Sequence, residues 1–172
     1  MRRRSRASEA EPEPLTAGQA RTLALGWLGL RELSAAQVRQ RLRRRGVDAE
    51  LTEAVITDMV ALGALDETRL ALAAARRETT IRGRGPTRAR LALKSLGLPD
   101  ATVEAALETT LADVDVDRLL ERALDKRLRG VPAGRLDRPT FTKVVSAMVR
   151  QGFDPQAVMS RLRRRGSAVD DD

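Results

Sequence analysis

Leu42-Arg43-Arg44-Arg45-Gly46-Val47, Leu93-Lys94-Ser95-Leu96-Gly97-Leu98 and Met148-Val149-Arg150-Gln151-Gly152-Phe153 are one pattern written three times. Each carries an apolar residue four places before its glycine and another directly after it. A further apolar residue follows ten places on, at Ile56, Leu107 and Leu162, and the glycines lie 51 and 55 residues apart. A glycine just past an amphipathic run marks a helix that ends in the left-handed conformation, which a residue without a β-carbon adopts freely. Three such ends at similar spacing predict one helical unit used three times. The pattern points to an array of helices and away from an enzyme built around a pocket.

Composition agrees. The apolar share of 42% is dominated by Leu, Val and Ala, and aromatic residues make up only 2% of the 172 positions. Leu and Ala favour helices, and a scarcity of aromatic residues argues against a sheet core. An all-α protein is expected. Lys and Arg number 32 against 24 Asp and Glu, a net charge of +8. That balance suits a polyanion or an acidic protein partner, although charged helix faces in an Arg-rich chain would give the same total. The chain has no Cys and no His. Disulfides, thiolate chemistry and cysteine-bound zinc are therefore excluded, and the commonest general base and metal ligand is missing. The basic start, Met1 to Arg6, leads into no apolar stretch of the signal-peptide kind, and no run approaches membrane-spanning length. A cytoplasmic location is expected.

Caps divide the rest. Residues 1–15 read as a disordered tail and 167–172 as a short acidic one. A first helix from about Thr16 to Leu33 places Leu23, Trp27 and Leu30 on one face. Ser34 with Gln37 forms a capping box for a second, which buries Val38 and Leu42 and ends at Gly46. Asp48 caps a third, with Leu51, Val55, Ile56 and Met59 inward. Asp66 caps a fourth running to about Ile81, with Leu70 and Ala74 inside. Gly85 and Pro86 open a fifth that carries Ala89 and Leu93 to Gly97. A sixth begins near Asp100 and uses Val103, Leu107 and Leu111. Asp115 or Asp117 precedes a seventh with Leu120 and Leu124, ending near Gly130. Asp137 and Pro139 open an eighth, with Phe141, Val145 and Met148. Asp154 and Pro155 open a ninth that ends in Arg163 to Arg165. The nine helices group as three-helix repeats over 16–65, 66–114 and 115–166. Sets of about 50 residues sit near the lower size limit for independent folding, so neighbours should lean on one another in an elongated, curved array. The string Arg-Leu-Arg-Arg-Arg-Gly recurs at 41–46 and 161–166. It ends the second helix of one set and the third of another, so the match is one of composition.

Catalysis finds little support. Asp66–Glu67 is a helix start, and Asp there is ordinarily a cap. No Ser or Thr has a His partner, and no carboxylate group shows metal-ligand spacing. The turn Gly83-Arg84-Gly85-Pro86 lacks the Gly-Lys-Ser/Thr ending and the preceding strand of a phosphate loop. Basic clusters are better candidates. Arg39, Arg41, Arg43, Arg44 and Arg45 close the second helix, where they also complement the negative end of its dipole. Arg82, Arg84, Arg88, Arg90 and Lys94 form the other; Arg82 and Arg84 flank the start of the fifth, where cations are electrostatically unfavourable and a functional reason gains weight. A helix start with exposed backbone donors and added Arg is expected to take a phosphate or carboxylate. Arg161, Arg163, Arg164 and Arg165 read as a solvated helix end. Trp27, at helical spacing from Leu23 and Leu30, reads as packing.

Taken together these residues resemble the RecX family, regulators of the bacterial RecA recombinase. Arg31-Glu32-Leu33-Ser34 followed by Val38, Leu42 and Gly46 is similar to the family's opening pattern. Leu65-Asp66-Glu67-Thr68-Arg69-Leu70-Ala71 resembles its acidic-pair motif, and Gly83-Arg84-Gly85-Pro86-Thr87-Arg88 with Leu93, Lys94, Gly97 and Leu98 its most distinctive stretch. Phe141 to Phe153 matches a looser third pattern. Leu70, Ala74 and Arg84 stand where Phe or Tyr is common. The resemblance covers about residues 20–165. It implies tandem three-helix repeats that bind in the helical groove of the RecA–DNA filament. There they suppress ATP hydrolysis, strand exchange and coprotease activity in DNA repair, homologous recombination and the SOS response. It implies no enzyme activity and no cofactor, with RecA and single- or double-stranded DNA as partners. Candidate RecA- and DNA-contacting residues are Arg39, Arg43, Arg44, Arg82, Arg84, Arg88, Arg90 and Lys94. RecA-independent, sequence-nonspecific DNA binding is the alternative. No sustained heptad seam is present, so a monomer is expected.

Overall fold

The computed structural model describes residues 15–131 and 136–166; the expected tails, apart from Leu15, lie outside them. Among the described residues there are nine α-helices and no strand. They are α1 (Ala17–Leu30), α2 (Ala35–Arg43), α3 (Ala49–Ala61), α4 (Glu67–Arg76), α5 (Pro86–Lys94), α6 (Asp100–Ala112), α7 (Val116–Arg127), α8 (Arg138–Gln151) and α9 (Pro155–Arg165). A π-helical turn, Arg77–Ile81, extends α4 to the expected end at Ile81.

The caps fall where the side chains dictate. Ser34 and Gln37 close a reciprocal capping box, and Asp48, Asp66, Asp115, Asp137 and Asp154 each accept from a backbone N–H three residues on. Each such cap holds an otherwise orphaned donor and is worth about 1 kcal/mol. Asp115, and not Asp117, opens α7. Gly46, Gly97 and Gly152 all take positive φ, at 76°, 74° and 96°. Behind them Leu42, Leu93 and Met148 are fully buried or nearly so.

Three hydrophobic clusters follow one another along the chain. The first joins Ala20 and Ala24 of α1 to Val38, Leu42, Val55 and Met59. The second joins Ala71, Ala74 and Ala75 of α4 to Ala89, Leu93, Val103 and Leu107. The third joins Leu119, Leu120 and Leu124 of α7 to Val144, Met148, Val158 and Leu162. The alanines of α4 leave room for α6 to lie close, and that is the most extensive helix pair.

Two expected faces are corrected. Leu30 is not inside: it is 87% exposed, because the chain leaves α1 at Arg31 in an extended conformation. The buried face of α1 consists of alanines, with Leu23 and Trp27 half-buried beside it. Trp27 packs against the first cluster and carries the Arg41 guanidinium 5.5 Å from its ring centroid. In α8 the buried residues are Val144 and Met148, while Phe141 and Val145 are only half-buried.

Candidate interaction surface

The clusters meet at two joints, and the joints share a design. In the first, the start of α2 docks on the turn between α5 and α6. Ser34 is fully buried; its hydroxyl accepts from the Gln37 N–H at 3.2 Å and donates to the Leu96 carbonyl at 2.5 Å. Glu67 reaches across from α4 and accepts from the Ala35 N–H at 2.9 Å, and Arg69 pairs with Glu32. A β-carbon on Gly97 would stand 2.7 Å from that of Ala36.

In the second joint, the start of α5 docks on the turn between α8 and α9. The Gly85 N–H donates to the Gln151 carbonyl at 2.9 Å and the Thr87 N–H to the Gly152 carbonyl at 3.2 Å. The Gln151 side-chain amide donates to the Gly83 carbonyl at 2.8 Å. This corrects the expectation that the α5 start is open to an anion. Pro86 has no N–H, and the next donor is spent on Gly152. Gly85, the N-cap, serves close backbone approach, since a β-carbon there would stand 2.6 Å from the Phe153 nitrogen.

Arg82 and Arg84 are held by a residue that sequence reasoning passed over. Glu78, in the π-helical turn, is 1% exposed and takes Arg82 at 2.7 Å and Arg84 at 2.5 Å. The Arg84 N–H also bonds the Glu78 carbonyl at 3.0 Å, so this one residue shapes the loop that feeds the second joint. A lone Glu in a helical run gives no periodic signal; the two arginines beyond it were the only trace.

The other candidates divide clearly. Arg39 grips Glu53 through two bonds of 2.6 and 2.8 Å, and Arg90 grips Glu104 through two of 2.7 and 2.9 Å. Both pairs join the second and third helices of a set at matching places about Gly46 and Gly97; about Gly152 those places hold Val145 and Met159. The hydrogen bonds hold the carboxyls of Glu53 and Glu104 below the usual range and raise the guanidinium values. Lys94 lies 3.0 Å from Asp100. Arg43, Arg44 and Arg88 make no ion pair with a described residue.

Two grooves collect these cations. One, of about 520 Å³, runs along the second joint between Arg84, Thr87 and Arg88 on one side and Arg150 on the other, with Leu91 and Val149 as apolar wall. The other, of about 450 Å³, lies along α2 between Ala36, Arg39, Gln40, Arg43 and Arg44. Each pairs unneutralised guanidinium groups with a shallow floor, which suits a charged surface better than a small enclosed ligand. The α9 end agrees with expectation only in part: Arg163 and Arg164 are exposed, but Arg161 and Arg165 bind Asp117, Glu121 and Asp125 of α7.

A family model described as RecX, first three-helix domain, matches residues 20–59. A regulatory protein RecX from Halorhodospira halophila is 33% identical over 88% of this chain and 89% of its own length. Another, from Xanthomonas campestris pv. campestris, is 31% identical over 81% of this chain and 83% of its own.

The chain belongs to the RecX family.

Its fold is that of a solved RecX from Lactobacillus salivarius, with a TM-score of 0.70 at 18% identity over 86% of this chain and 95% of that one. The RecX relatives are named as regulatory proteins, and among the described residues no group of His, Cys, Asp or Glu could hold a metal ion. No described helix is long and apolar enough to cross a membrane. In this RecX chain, then, the candidate cations fall into two kinds. Arg39, Arg82, Arg84, Arg90 and Lys94 are paired with carboxylates, while Arg43, Arg44 and Arg88 face outward.

Proposed function

We propose that this RecX chain is a non-enzymatic regulator that lies in the helical groove of the RecA–DNA filament. From there it restrains ATP hydrolysis, strand exchange and coprotease activity. The observation that carries the reading is the spread of exposed cations without an ion-pair partner among the described residues. Arg43 and Arg44 close α2, Arg88 and Arg150 flank the groove along the second joint, and Arg163 and Arg164 close α9. The repeats over 16–65, 66–114 and 115–166 then act as linked binding modules, each contributing a modest contact to protein and phosphate. Linked contacts raise the effective concentration of the next one, so the whole binds far more tightly than any part.

The test is ATP hydrolysis by the cognate RecA on single-stranded DNA, titrated with this protein near physiological salt and with DNA in excess. Inhibition at amounts well below RecA, unaffected by the extra DNA, is the expected result. Inhibition that extra DNA abolishes would make the chain a DNA competitor and end the filament reading.

A further inference from the structure

The chain makes one kind of joint twice and leaves a third copy of its receiving half open. At Gly97 and Gly152 the turn receives the start of a helix, through the Leu96 carbonyl in one case and the Gln151 and Gly152 carbonyls in the other. The Gly46 turn has the same left-handed glycine, with Arg45 in the place of Leu96 and Gln151. Among the described residues, nothing beyond its own chain neighbours lies within 4 Å of a β-carbon built on Gly46. The Arg45 and Gly46 carbonyls accept no hydrogen bond from a described residue. We infer that the Gly46 turn seats the first turn of a helix from a partner protein.

The two filled joints define that helix. Its cap and second position offer N–H donors to the two carbonyls, as Gly85 and Thr87 do, and its second residue is small, like Ala36 and Thr87. The open turn is also the most basic of the three: Arg43-Arg44-Arg45 stands where the others have Lys94-Ser95-Leu96 and Val149-Arg150-Gln151. The incoming first turn therefore carries Asp or Glu, which its own dipole favours as well. The equivalent helix starts of a second copy of this chain do not qualify. The starts of α2 and α5 are already docked, and that of α8 is closed by Asp137 and has Pro139, without an N–H, at the second helical position. Resting on the functional reading above, the inference assigns the helix to the filament protein.

Gly46→Asn tests it. Asn tolerates the left-handed conformation, alters no charge and enters open space in the free protein, yet its β-carbon would collide with a docked helix as one on Gly97 would with Ala36. Gly63→Asn, also left-handed and open, is the control. Binding of each labelled protein to RecA filaments and to bare single-stranded DNA is measured by anisotropy, with thermal unfolding in parallel. The expected result is a loss of about tenfold or more on filaments for Gly46→Asn, with bare-DNA binding and Gly63→Asn unchanged, a difference of ~1.4 kcal/mol. Arg45→Glu, a surface change, is the second variant should Gly46→Asn unfold, and it must lose more affinity for filaments than for bare DNA. Wild-type filament affinity in Gly46→Asn, or an equal loss on bare DNA, overturns the inference while the filament reading stands. A wild-type protein that ignores filaments removes both.

Discussion

Gly85 and Gly152 meet backbone to backbone: a β-carbon on Gly85 would overlap the Gly152 carbonyl and stand 2.6 Å from the Phe153 nitrogen. Gly152 is hemmed in at the same joint, since a β-carbon on it would lie 2.9 Å from the Arg88 Cα. Two residues far apart in sequence thus share one restriction, and the joint between the second and third clusters depends on it. Gly85→Ala is expected to cost about 1–3 kcal/mol through overpacking. Gly26→Ala, in open space within α1, should instead add about 0.5–1 kcal/mol by favouring the helix. Thermal unfolding of both variants checks the sign of each.

Thr52 is fully buried, and its hydroxyl has no hydrogen-bond partner. The matching places in the other two sets, six residues past each glycine, hold Val103 and Val158, both fully buried. Thr52→Val removes an unpaired buried hydroxyl and supplies the methyl that its counterparts Val103 and Val158 carry at the same place. Stability should rise by about 1 kcal/mol, read from urea unfolding, because the desolvation cost of the hydroxyl disappears.

Glu78 is a buried carboxylate whose charge is met by Arg82 and Arg84, themselves partly open to water. Glu78→Ala removes one charge from beneath two cations and frees the loop over residues 82–85. A loss of about 2–3 kcal/mol is expected, and Arg82→Ala, at a more exposed side chain, should cost less than 1 kcal/mol. If both variants unfold alike, Glu78 does not organise the loop.

Acid should weaken the fold in a definite window. Arg39 and Arg90 hold the carboxyls of Glu53 and Glu104 below their usual range, and Arg161 and then Arg165 do the same for Glu121. Hydrogen bonds from Thr140 lower Asp137. A carboxyl with a depressed value in the fold contributes stability that is fully present above its unfolded value, about 4, and is lost as pH falls through the folded one. With no His in the chain, stability should stay level between about pH 6 and pH 8 and decline below about pH 4.5. Glu121→Gln should make that decline shallower in a pH series of unfolding midpoints.

The helices were legible because their signals are local. Ser34, Asp48, Asp66, Asp137 and Asp154 cap within three residues, and the glycine turns follow directly upon the runs they end. The repeated string at 41–46 and 161–166 also resolved as its register suggested. Gly46 is left-handed past α2, whereas Gly166 has φ −140° after α9 and lies against Leu136. What the sequence hid is long-range. Nothing near Gly85 announces Gly152, so a glycine needed for contact looked like the lip of an anion site. Arg39 and Arg90 looked free because their carboxylates lie on the following helix. The outward-facing cations could be told from the paired ones only once Glu53, Glu78 and Glu104 were in place.

The measurement that bears most directly on this account compares the affinity of the wild-type protein for preformed RecA filaments with its affinity for the same bare single-stranded DNA. Both are taken near physiological salt, because phosphate contacts alone weaken steeply as salt rises. The account predicts filament binding tighter by at least about tenfold, or ~1.4 kcal/mol. Equal affinities for filament and bare DNA would contradict it.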